Sequence, residues 1–138
     1  MASASRWKRI PAFARKHQLA CFGKRLDPES YTPGHELSDE ISKADVITSQ
    51  VRGEGTHRPI IDIDFPAALL PSSTAGHFHL YLDKEITWDA YEELLKALGR
   101  AGILESGYVA ASIAREYTSV RLPWIKKKTP TAAKEAQL

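Results

Sequence analysis

Residues 59–83 read PIIDIDFPAALLPSSTAGHFHLYLD. Side chains alternate along a strand. In the first part, Ile61, Ile63 and Phe65 therefore share one side, and Ile60, Asp62 and Asp64 share the other. In the last part, Phe78, Leu80 and Leu82 oppose His77, His79, Tyr81 and Asp83. Both parts read as strands with one apolar and one ionisable side: 59–65, bracketed by Pro59 and Pro66, and 77–83, entered from the SSTAG turn. A connection of about eleven residues lets such strands pair as neighbours. Paired, they set Asp62 and Asp64 beside His77 and His79 on the open face of a sheet.

The segments that follow supply helices for the apolar face. Thr87 is a good N-cap, and Trp88, Tyr91, Leu95 and Leu98 recur at spacings of 3, 4 and 3, which places them on one side of a helix. Asp89, Glu92 and Glu93 sit in its early turns, where the helix dipole favours anions, and Gly102 suits its end. A second helix fits 106–116, with Tyr108, Val109, Ser112 and Ile113 inward. The first helix is expected to pack on Ile61, Ile63, Leu80 and Leu82. Residues 45–51 (DVITSQV) and 118–122 (TSVRL) complete the strands. Residues 11–22 read as a short helix led by Pro11, and 26–42 as a loop with a helical turn near 36–43. The fold class is α+β: a mainly antiparallel sheet of about four strands, with two or three helices on one face. The organisation read from this pattern is a basic N-terminal arm and loop over 1–44, a core over 45–125, and a basic disordered tail over 126–138.

Composition sets the outer bounds. The 138 residues suffice for one domain with a core. No apolar run has the length of a membrane span and no segment has the order of a secretory signal. One cysteine, Cys21, excludes an intrachain disulfide and a cysteine-based zinc site. These features point to a cytoplasmic protein and not to a membrane partner. Charge is unevenly spread. Residues 1–26 carry seven Lys or Arg and no acid, 27–116 carry seven basic and sixteen acidic residues, and 117–138 carry five basic residues and one acid. Basic ends around an acidic middle suit a polyanion such as nucleic acid, or serve solubility alone.

The unusual chemistry lies in the aspartates. Asp is a poor strand former, and two like charges at i and i+2 repel unless a cation lies between them. Two carboxylates on one face are what a hard divalent cation, Mg²⁺ or Mn²⁺, requires, so Asp62 and Asp64 are candidate metal ligands. A solvated sheet face is the alternative. Ser72, Ser73, Thr74 and Gly76 offer hydroxyls and backbone N–H groups that could cradle an anion, or form an ordinary turn. Arg121 is a candidate phosphate ligand, or a partner for an aspartate.

Two resemblances follow from these residues. The block from PSSTAGHFHLYLD to GYVAASIAREYTSVRLPW resembles a family of small actinobacteriophage proteins, over roughly residues 45–126. Three elements also resemble the archaeo-eukaryotic primase superfamily, especially phage and plasmid primase-polymerases. Ile61-Asp62-Ile63-Asp64 is similar to its hydrophobic-Asp-hydrophobic-Asp strand. SSTAG followed by His79-Leu80-Tyr81 is similar to its turn and His-hydrophobic-Tyr strand. Arg121-Leu122-Pro123 with Lys126 is similar to its late Arg motif, although Trp124 stands where that motif has Gly, and no third acidic motif follows. The resemblance implies Asp62 and Asp64 as catalytic metal ligands, His79 as a catalytic group on the nucleotide phosphate, and Ser73 and Arg121 beside it. On that reading the protein is a primase-polymerase-like nucleotide or nucleic-acid binder, a nucleotidyl transferase or a degenerate relative. The other reading is a non-catalytic phage protein that binds nucleic acid or a host protein through its basic ends.

Overall fold

A computed structural model describes residues 2–21 and 36–128. Most of the loop expected over 26–42, and the tail from residue 129, lie outside them. The described residues hold three α-helices and five strands in two small antiparallel sheets, the α+β class expected. Two compact units divide between Asp62 and Ile63.

In the first unit, a short helix α1 (Ala2–Trp7) leads to Pro11 and a 3₁₀ turn over Ala12–Lys16. The fixed φ of Pro11 suits entry to that turn, and the Ala14 N–H closes it on the Pro11 carbonyl at 2.9 Å. The expected helix over 11–22 stops there. His17–Cys21 is β1, the middle strand of a sheet ordered β2-β1-β3. Its partners are β2 (Glu36–Ser38) and β3 (Val46–Val51). Lying between two strands, β1 is buried: His17, Leu19 and Ala20 lose nearly all their exposure. The register slips between His17 and Leu19, opposite β3. β3 realises the strand expected over 45–51. The helical turn expected near 36–43 is a strand at its start and a turn over 41–43.

In the second unit, β4 (Ala67–Pro71) pairs with β5 (Phe78–Leu82) as a hairpin. The strand expected over 59–65 does not form. Those residues run on without a ladder partner to a bend at Asp64–Phe65. Proline brackets and two aspartates make that stretch costly as a strand, and the hairpin turn selects the nearer AALLP instead. The Ser72 N–H reaches the His77 carbonyl at 2.9 Å, and the Asp83 N–H the Pro66 carbonyl at 2.8 Å, so the ribbon is closed at both ends. Residues 118–122, also expected as a strand, pair with no strand.

The helices follow the sequence closely. In α2 (Trp88–Arg100) the Thr87 hydroxyl accepts the Ala90 N–H at 3.2 Å. At its other end Gly102 takes left-handed geometry, with φ 75°. From there the Gly102 N–H bonds the Gly99 carbonyl and the Ile103 N–H the Leu98 carbonyl, each at 3.0 Å, the double bond that a left-handed glycine permits. α3 (Ser106–Arg115) packs against α2 with Val109 and Ser112 buried. A Cβ on Gly99 would lie 3.2 Å from the Val109 side chain, so the two helices meet where α2 has no side chain. Leu95 is the most enclosed residue of α2. Trp88 and Tyr91, half-buried, meet edge to face with centroids 5.7 Å apart. The Tyr91 and Thr118 hydroxyls bond at 2.9 Å, tying the chain after α3 to α2.

One packing expectation fails. Leu80 is 62% exposed, and Leu82, Ile61 and Ile63 are exposed with it. The buried face of α2 is satisfied by α3, not by these residues.

Candidate functional site

The expected carboxylate and histidine cluster does not assemble on a ladder. Across the ribbon His79 stands opposite Leu70, and Tyr81 opposite Ala68. The alternation within 77–83 is real, but AALLP places apolar residues where the aspartates were expected. Asp62 is an exposed residue ending the first unit, and Asp64 an exposed residue in the bend that opens the second. Among the described residues, no three or more His, Cys, Asp or Glu side chains converge on a point where a metal ion would sit. Asp62 and Asp64 thus stand, among the described residues, without the third carboxylate that a two-metal transferase requires.

The SSTAG turn spends much of its donor capacity on itself. The Thr74 N–H donates to the Ser72 hydroxyl at 3.1 Å, that hydroxyl donates to the Thr74 carbonyl at 3.2 Å, and the His77 N–H goes to the Thr74 carbonyl at 3.1 Å. This is a side-chain-closed turn. Ser73 stands exposed at its tip, and Arg121 is exposed in the irregular segment after α3.

A different set of residues does converge, in the first unit. After β3 the RGEGTH turn reverses the chain. The Arg58 N–H bonds the Ser49 carbonyl at 2.9 Å, and the Ser49 hydroxyl meets His57 Nδ1 at 3.0 Å. The two arginines flanking that turn reach the 3₁₀ turn over residues 12–16. The Arg52 N–H bonds the Lys16 carbonyl at 3.0 Å, its Nε donates to the His17 carbonyl at 3.3 Å, and Arg58 Nη1 donates to the Phe13 carbonyl at 3.2 Å. The late Lys16 carbonyl, an orphan acceptor of the turn, is thus met by the Arg52 backbone N–H, and guanidinium groups meet the carbonyls of His17 and Phe13.

The arrangement sets Arg52 and Arg58 around the turn that carries Arg15 and Lys16. None of the four is in an ion pair among the described residues. Each guanidinium has five N–H donors, so one bond to a carbonyl leaves most of them for a ligand. Phe13 is an exposed aromatic on the same turn. Glu54 is the acid of the 52–55 turn and reduces the local positive charge. Farther along, Arg6, Arg9, Ile10, Ile41 and Ala44 line an open cavity of about 520 Å³.

The basic character of the first 26 residues is legible in the sequence. The contribution of Arg52 and Arg58 is not, because both come from more than thirty positions away. The available signal is their symmetric placement on either side of a glycine-containing turn.

No family model matches the chain, and neither a curated protein nor a solved structure shows significant similarity to it.

Proposed function

We propose that this protein binds nucleic acid without catalysing a reaction on it, through phosphate contacts from Arg15, Lys16, Arg52 and Arg58. The observation that carries this reading is that Arg52 and Arg58 are bonded to the turn that carries Arg15 and Lys16, and that none of the four is in an ion pair among the described residues. Cations not held in ion pairs attract phosphate and release its condensed counterions. Arg forks suit phosphate oxygens in particular. Phe13 offers a face on which an unpaired base stacks, which favours single strands.

The test is filter binding of an oligonucleotide of about twenty residues across a salt series. Four phosphate contacts on a single strand predict a slope of log affinity against log salt near −3. The pair Arg15→Ala/Lys16→Ala removes two of them and leaves Arg52 and Arg58 in place. Its slope is expected to become shallower by about 1 to 1.5, with weaker binding at every salt concentration. Unchanged affinity and slope would overturn the reading. Binding that requires Mn²⁺ and disappears in Asp62→Asn/Asp64→Asn would put the metal-dependent reading, drawn from the primase resemblance, in its place. Of divalent metal the present reading requires nothing.

A further inference from the structure

The β4–β5 ribbon has two unusual properties. Its cross-strand pairs Ala67–Leu82, Leu69–Leu80 and Pro71–Phe78 share one face, and that face is apolar throughout. All six residues are exposed. A two-stranded hairpin is marginal in water unless further strands or a packed face support it, and no further strand joins this one among the described residues. The outer edges are also open. The Ser72–His77 and Asp83–Pro66 bonds fix which pairs exchange hydrogen bonds. By the alternation of an antiparallel ladder, the N–H and C=O groups of Phe78, Leu80 and Leu82 then point outward. The outer edge of β4 is poorer, because Pro71 has no N–H.

The same unit carries a segment rich in β-branched residues that pairs with no strand among the described residues. Residues 118–122 (TSVRL) carry no regular secondary structure; the Thr118 hydroxyl bonds that of Tyr91, and Ser119, Val120, Arg121 and Leu122 are exposed. Laid down as a strand, it would put Val120 and Leu122 on one side and Ser119 and Arg121 on the other. Pro123 ends the segment, and Trp124 and Ile125 follow, with Trp124 72% exposed.

We propose that two copies of this chain exchange these segments. Residues 118–122 of each copy add as a strand to the outer edge of β5 in the other, and Val120 and Leu122 extend the apolar face made by Leu80 and Leu82. Three features of the molecule select a second copy as the occupant. The open edge and the unpaired segment belong to one chain, so a two-fold axis satisfies both twice. The charges match: Arg121 and Lys126–Lys128 follow one another without an acid, while Asp64, Asp83 and Glu85 flank the ribbon with only Lys84 against them. The area suffices. The exposed parts of Leu69, Phe78, Leu80 and Leu82, with those of Val120, Leu122, Trp124 and Ile125, present on the order of 800 Å² per copy, the share each partner contributes to a standard interface. Edge addition of an extended segment is a recurrent mode of recognition.

The experiment is sedimentation of the full chain, with cross-linking to locate the contact. The wild type is expected to run as a dimer at micromolar concentration. Leu80→Asp and Val120→Asp each change an exposed side chain, so each protomer is expected to keep its circular dichroism and run as a monomer. Mixed together, the two variants are expected to regain a dimer with one intact junction. In a Cys21→Ser background, Leu80→Cys with Val120→Cys is expected to give a disulfide between chains on a non-reducing gel. A monomeric wild type overturns the proposal. So does a disulfide formed only within one chain, or a dimer indifferent to both aspartate substitutions.

Discussion

Replacing Leu95 by alanine is expected to cost the second unit about 2–5 kcal/mol in chemical denaturation, the range for emptying a fully packed leucine site. Leu95 is 2% exposed and is the buried side chain of α2. Its neighbours in the helix pair are held by covalent spacing and by the close approach at Gly99, so they have little room to close the cavity. That argues for the upper part of the range. Leu94 is the internal control. It is one residue earlier and exposed, and Leu94→Ala is expected to change stability by less than about 0.5 kcal/mol. Equal effects at the two positions would show that the α2–α3 contact is not the core of this unit.

The first unit is expected to answer most strongly at His17. The ring is 1% exposed. Its Nδ1 lies 2.7 Å from the Thr48 carbonyl, and a carbonyl only accepts, so Nδ1 carries the proton. Nε2 is then a buried acceptor, and it has no partner among the described residues. His17→Ala removes the ring volume and leaves the Thr48 carbonyl without its donor, a combined loss of about 3 kcal/mol. His17→Phe fills most of the same space, loses the Nδ1 bond, and removes the unsatisfied Nε2 atom. The two polar terms oppose each other, so His17→Phe is expected to retain most of the wild-type stability. A phenylalanine variant as unstable as the alanine variant would show that the Thr48 bond dominates the site.

What could be read from the sequence depended on whether the deciding interactions were local. α2 was legible because its apolar spacing, its Thr87 cap and its Gly102 stop all act within one turn of themselves. α3 was legible in the same way, down to Val109 and Ser112. The alternation in 59–65 misled because alternation states which side chains would share a face, not whether a partner strand exists. AALLP was passed over because Ala, Leu and Pro are weak strand signals, and a hairpin turn outweighed that weakness. β1 was hidden for the complementary reason: HQLAC has little strand propensity, and its two flanking strands come from residues 36–38 and 46–51. The candidate site divides along the same line. The charge of residues 1–26 is local composition. The bonds from Arg52 and Arg58 to the carbonyls of Phe13, Lys16 and His17 are tertiary, and no window along the chain contains them.

The three tryptophans give the molecule a built-in optical readout. Trp7 belongs to the first unit, Trp88 lies half-buried against Tyr91, and Trp124 stands in water. An indole in water emits to the red and is open to collisional quenchers, while an enclosed one is neither. A chain retaining Trp124 alone therefore reports whether its segment is docked. Its emission should move to the blue, and its quenching by acrylamide should fall, as protein concentration rises. Trp88, whose indole meets Tyr91 within α2, reports instead on the integrity of the helix pair, so single-tryptophan chains tell docking of the segment from loss of the fold that carries it.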